Sequence, residues 1–168
     1  MSAADRESNR RRRSATRLAA VQALYEMEVS GASVDPVLGE FIGKRWTDAD
    51  GGIDLLTPDG DLLGQLVRGV TGRRSELDAM ISSTLTGAWT MDRLEILLRA
   101  ILRAGAYELA ALSEVPPKAA INEYVDVAHA FFPGKEPALV NAVLDRLART
   151  LRPTERMSGS DDGVPEQE

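Results

Sequence analysis

The sequence predicts an all-α fold, a compact bundle of about six to seven helices. Three observations carry that expectation. Apolar residues recur at helical spacing almost everywhere, and no convincing run alternates with period two. Glycine and proline fall where the apolar patterns stop. With 168 residues, 43% of them hydrophobic, the chain is long enough for a real core and short for two domains.

A first helix is expected from near Ser14, capped by Ser14 or Thr16, with Leu18, Val21, Leu24 and Tyr25 on one stripe until Gly31 ends it. A second covers about Asp35 to Trp46. The Asp- and Gly-rich stretch from Thr47 to Gly60 reads as a loop. The period resumes with Leu62, Leu63, Leu66, Val67 and Val70, and Leu77, Met80 and Ile81 extend it. Gly69 and Gly72 weaken that helix by up to ~1 kcal/mol each relative to Ala and mark close packing or a kink. Leu94, Leu97, Leu98, Ile101, Gly105 and Leu109 give the strongest periodicity, a core helix whose opposite side carries Glu95, Arg99 and Arg103. Pro116 and Pro117 stop it and start the next, with Ile121, Tyr124, Val125, Ala128 and Phe132. Pro133 and Gly134 end that one, and a last helix carries Val140, Val143, Leu144, Leu147 and Leu151 before Pro153. The organisation expected is a flexible basic arm over 1–13, one helical domain over 14–153 and a disordered acidic tail over 154–168.

Charge is polarised along the chain. The formal net charge is −6, yet Arg10, Arg11, Arg12 and Arg13 run directly into the first helix, and Arg17 comes soon after. A guanidinium is planar, always charged and matched to phosphate, so the cluster suggests a polyanionic partner; a solvated terminal run is the plain alternative. The tail is the reverse, with Glu155, Asp161, Asp162, Glu166 and Glu168 against Arg156. The absence of cysteine excludes disulfides and thiolate zinc sites and fits a reducing, cytoplasmic setting. No apolar run reaches the ~18 residues of a membrane span.

Catalytic constellations are missing. His129 is the only histidine, so triads and two-histidine metal sites are excluded, and it sits on the polar side of its helix. The stretch from Asp48 to Asp59 resembles a calcium loop faintly, but Ile53 stands where that loop needs Gly and Asp59 where it needs Glu. No phosphate-binding glycine motif occurs. The reading is a protein without enzyme activity, metal or cofactor. Surface chemistry remains: basic side chains secure phosphates, and an aromatic such as Tyr25 stacks on an unpaired base, although its spacing from Val21 equally suits the core.

Val21-Gln-Ala-Leu-Tyr25, Gly69-Val70, Leu102-Arg-Ala-Gly-Ala-Tyr-Glu-Leu109, Val115-Pro116, Ala120-Ile-Asn-Glu123 and Val140-Asn-Ala-Val-Leu-Asp145 occur in an order that resembles the NusB family of transcription antitermination proteins, over roughly Arg11 to Pro153. The resemblance implies two small helical subdomains packed together. It also implies a non-enzymatic factor that binds boxA-type single-stranded RNA together with a small-subunit ribosomal protein, NusE, in an antitermination complex on RNA polymerase, chiefly in ribosomal RNA operons. By matched motif, Arg10, Arg11, Arg12, Arg13, Arg17, Tyr25 and Arg103 fall in the RNA-facing region, with Lys118 and Lys135 added from neighbouring motifs. Arg99, Tyr107 and Glu108 fall near the region for protein partners, and a second copy of the chain is a further candidate partner. Ser14, Ala15 and Thr16 interrupt the family's arginines, and the loop from Phe131 to Glu136 is less polar than the family's.

Two other readings stand beside this one. A helical adaptor binding only protein would treat the arginines as incidental. An RNA-binding domain related to RNA cytosine methyltransferases would need a Rossmann-type domain after Leu151, where this sequence has the acidic tail. Exposed terminal charges contribute little stability, so replacing Arg11, Arg12, Arg13 and Arg17 by Ala is expected to spare the fold.

Overall fold

The computed structural model describes residues 1–43 and 58–154. Seven α-helices and one short 3-10 turn make up the regular structure of these residues. They are α1 (Ala3–Ser30), α2 (Val34–Gly43), α3 (Gly60–Gly72), α4 (Arg74–Thr84), α5 (Ile96–Ala111), α6 (Pro117–Phe131) and α7 (Glu136–Leu151), with the 3-10 turn at Met91–Arg93 before α5. The end of the second expected helix, the loop from Thr47, the calcium-like stretch before Pro58 and the tail after Thr154 lie outside the described residues.

α1 begins at Ala3, not near Ser14. The cause is local. Ser2 accepts from the Asp5 amide while the Asp5 carboxylate takes the Ser2 amide, a reciprocal cap that satisfies two otherwise orphaned donors. Glu7 then pairs with Arg10 at 2.9 Å and Arg11 at 3.2 Å, one turn on. The arginine run is therefore held on a helix. At the other end Gly31 closes α1 in the left-handed region, φ 73°, which glycine adopts without steric cost.

The expected long helix after Leu62 is two helices. Asp59 caps α3 by accepting from the Asp61 and Leu62 amides, and the chain leaves helical geometry at Arg73, φ −118° and ψ 20°. The break comes just after Gly72, and beyond it α4 buries Leu77 and Ile81. Gly69 marks close packing as expected. A Cβ there would lie 2.0 Å from the Tyr107 ring, so only glycine lets α3 approach α5. Gly105 does the same for α5 against α7, where a Cβ would meet Leu144 at 2.7 Å.

Two groups of helices result, α1–α3 and α4–α7, joined where α1 and α3 lie on α5. α5 is the centre of both. Residues 98 and 100–109 are all buried, so this helix has no solvent face along most of its length. The expected polar side with Glu95, Arg99 and Arg103 is corrected accordingly: Arg103 is buried, and Arg99 is half-buried.

Candidate nucleic-acid interface

α1 carries the candidate surface. Arg6, Arg10, Arg13 and Arg17 succeed one another at i, i+4, i+7 and i+11, so they share one face of the helix. That face lines a groove with Glu114, Pro116, Ala119 and Glu123, from the α5–α6 connection and the first turns of α6. Arg11 lies on a different stripe, shared with Leu18, Gln22, Tyr25 and Val29. Arg10, Arg11, Arg12 and Arg13 are all exposed. Tyr25 is 42% exposed, so its ring is on the surface and not in the core. Lys118 is exposed in the first turn of α6, next to residues that line the arginine groove. Lys135 is exposed just before α7, at the opposite end of α6, which closes on the exposed Phe131. His129 is exposed.

Arg17 is different from the arginines before it. It is 4% exposed and clamps Glu108, itself 0% exposed, through Nε at 3.0 Å and Nη2 at 2.6 Å. Tyr124 donates its hydroxyl to the same carboxylate at 2.6 Å. Arg17 also lies 3.7 Å from Glu123, whose carboxylate accepts from Ser14 Oγ at 2.7 Å. A buried charge of either sign is costly alone, and each satisfies the other here. Burial alone would lower the Arg17 pKa, but the Glu108 hydrogen bonds and charge outweigh it and raise it. Burial, reinforced by the Glu108 charge, pushes the Tyr124 hydroxyl well above its ordinary 10.0.

A second network holds the other end of α1. Glu28 receives Arg103 at 3.1 Å, Arg99 at 3.2 Å and Arg74 at 3.4 Å. Arg103 also grips Asp78 of α4 through Nε at 2.6 Å and Nη2 at 3.0 Å. The polarity of the contacts is reversed between the two ends: α1 gives a cation to α5 at Arg17 and an anion at Glu28. Two such bonds of opposite sign fix one register between the helices. Thr16 adds a third tie, its hydroxyl donating to the Arg12 carbonyl at 2.7 Å and accepting the Asp59 amide at 2.9 Å.

These placements redistribute the residues singled out in the sequence. Arg17 and Arg103, expected to face RNA, are buried in carboxylate clamps and hold helices. Tyr107 and Glu108, expected to face a protein partner, are interior: Tyr107 packs on Gly69, and Glu108 answers Arg17. Arg99 is tied to Glu28. What α1 presents to solvent is the upstream arginines and Tyr25. Tyr124 was read from spacing only as a core residue, and its role as a donor to Glu108 had no sequence signal. Asp78, Glu28 and Ser14 were likewise invisible as partners, because each is joined to its mate only by the fold.

The arrangement suits an anionic polymer. Guanidinium groups on successive turns present fixed donors to phosphates, and an exposed ring on the same helix offers a stacking face. No group of three or more His, Asp or Glu able to hold a metal occurs among the described residues. None of their helices is long and apolar enough to cross a membrane.

Comparison with known proteins agrees with this architecture. The model of the NusB family matches residues 14–149. The chain is 44% identical over 165 residues to the transcription antitermination protein NusB of Rhodospirillum rubrum, covering 89% of each. It is 46% identical over 140 residues to that of Caulobacter vibrioides, covering 83% of this chain and 94% of the relative. Among solved structures, T. maritima NusB superposes with a TM-score of 0.70 at 26% identity, covering 85% of this chain and 94% of that one. A crystal structure of the antitermination factors NusB and NusE in complex with dsRNA shares the fold, with a TM-score of 0.67 at 23% identity, covering 82% and 96%. With the family model spanning α1 to α7 and relatives of this identity matching nearly end to end, the chain belongs to the NusB family.

Proposed function

We propose that this chain is an RNA-binding transcription antitermination factor. It binds boxA-type single-stranded RNA jointly with the ribosomal protein NusE and acts within the antitermination complex on RNA polymerase, chiefly in ribosomal RNA operons. It performs no catalytic step and works in the cytoplasm. The observation that carries the reading is α1: its first half presents Arg10, Arg11, Arg12 and Arg13 to solvent, its second presents Tyr25, and the buried Arg17–Glu108 clamp fixes the helix between them. Arg11 and Tyr25 lie on one stripe, fourteen residues and so about 21 Å apart along the axis, a span of several nucleotides. Arginines at one end hold phosphates, and the tyrosine at the other stacks a base.

The names of the relatives support antitermination, and the solved complex of NusB, NusE and RNA supports the choice of partners. A titration of boxA-like RNA with and without NusE tests it. Marked tightening by NusE is expected, because two surfaces then share one RNA. Binding that NusE leaves unchanged would contradict a composite site, and affinity indifferent to salt would favour a protein-only adaptor.

A further inference from the structure

Arg13 and Glu114 border the same two grooves without pairing. Both line the groove on the arginine face of α1, and both line a second one alongside it with Asp59, Asp61 and Gln65. Each is exposed, and neither has a hydrogen-bond or ion-pair partner among the described residues. The other charges of the arginine-face groove are engaged: Glu123 by Ser14 and Arg17, Arg10 by Glu7, and Arg6 by the Met1 carbonyl. One cation and one anion are left over at a single place.

Both are held in position. Arg13 comes one turn before Arg17, which the Glu108 clamp fixes to α5. Glu114 sits in the connection from α5 to α6, and Arg152 pins its two neighbours by donating to the carbonyls of Val115 and, at 2.8 Å, Ser113. Pro116 and Ala119 are exposed and give the groove an apolar wall. Its volume is about 350 Å³, at the small end of ligand sites.

A carboxylate is a poor choice for a groove that holds only phosphates. It repels each of them alike, and the loss is recovered only by an occupant that brings it hydrogen-bond donors. A nucleotide meets all three features, with a phosphate for the guanidinium, a base face for the apolar wall and a base edge for the carboxylate. Guanine suits it best. Its N1–H and N2–H are parallel donors for the two carboxylate oxygens, whereas the Watson–Crick edges of adenine, cytosine and uracil set an acceptor beside their single donor group.

We propose that this groove holds one unpaired guanine nucleotide of the bound RNA, its phosphate on Arg13 and its Watson–Crick edge on Glu114, so that Glu114 sets a base preference. The source of the guanine rests on the proposed antitermination function; the preference itself rests on the groove.

The test titrates guanosine, inosine, adenosine, cytidine and uridine monophosphates into the full chain and into Glu114→Gln, followed through backbone amide spectra at residues 10–17 and 113–119. Guanosine monophosphate should bind the native chain about three- to tenfold more tightly than the others, inosine included because it lacks N2–H. Glu114→Gln should lose that difference and bind the other nucleotides at least as well as the native chain does. A native chain that does not distinguish the bases, or a guanine preference that survives in Glu114→Gln, would overturn the assignment. A parallel titration with boxA-like RNA separates the two proposals. If the monophosphates behave as expected but the RNA does not bind, the groove stands and the proposed function fails; if the RNA binds and the monophosphates go undistinguished, the function stands and the groove assignment fails.

Discussion

Arg17, Glu108 and Tyr124 form one buried unit, and the chemistry of each is fixed by the other two. Removing one member of a buried pair strands the other charge, so Arg17→Ala should cost about 3 to 5 kcal/mol in urea unfolding. This revises the expectation that all four of Arg11, Arg12, Arg13 and Arg17 are dispensable for stability. The sequence did hold a signal: Arg17 falls at the same helical phase as Val21 and Leu24, and Glu108 at that of Ile101 and Gly105. A charge on an apolar stripe points to a buried partner, but which partner is decided by tertiary packing alone. Tyr124 gives a pH prediction. Its folded pKa lies above its unfolded value, so the unfolded chain loses that proton first; stability is whole below about pH 10 and falls above it, by up to ~1.4 kcal/mol per pH unit for one group. Stability measured from pH 8 to 11 should show that loss in the native chain and a shallower one in Tyr124→Phe. Tyr25 is the opposite case, an aromatic at the surface. Tyr25→Ala should weaken RNA binding by about 1 to 3 kcal/mol and leave the melting temperature nearly unchanged, as parallel binding and melting experiments would show.

At the scale of the element, α5 was the most legible part of the sequence and also the most misread. Its stripe of Leu98, Ile101, Gly105 and Leu109 is buried as expected. The opposite side was expected to be wet, yet α1, α3, α4, α6 and α7 all pack on this helix, and that enclosure is a property of the assembly rather than of the segment. Leu98→Ala or Ile101→Ala should cost about 2 to 5 kcal/mol, since both are essentially inaccessible and surrounded. Gly69→Ala tests the seam between the two groups of helices. The new methyl gains helix propensity but collides with Tyr107, so a net loss of about 1 to 3 kcal/mol is expected in denaturant unfolding; unchanged stability would show that the ring can move aside. α1 shows a different failure of reading. Its start at Ala3 was written in Ser2 and Asp5, a capping pattern overshadowed by the arginines behind it.

For the whole molecule, periodicity sufficed to give an all-helical fold, because the seven helices of the described residues carry recognisable buried apolar positions at helical spacing and glycine and proline punctuate them. The candidate surface was legible in part: Arg10 to Arg13, Tyr25 and Lys118 are exposed as an RNA-binding role needs, whereas Arg17, Arg103, Tyr107 and Glu108 proved to be interior. Composition identifies cations without saying which of them the fold has already neutralised. The two charge networks commit Arg17, Arg74, Arg99 and Arg103 to carboxylates at the two ends of the α1–α5 contact, whereas the arginines in the first half of α1 stay exposed, Arg10 and Arg11 meeting Glu7 only in surface pairs. The central claim is that this face binds RNA phosphates. Its most direct test is the affinity for boxA-like RNA, in the presence of NusE and across a range of salt, of the native chain and of a variant with Arg10, Arg11, Arg12 and Arg13 replaced by Ala. The account predicts at least a tenfold loss at low salt and a salt dependence shallower by about 0.7 in logarithmic slope for each phosphate contact removed. Equal affinity and equal slope in the two proteins would contradict it.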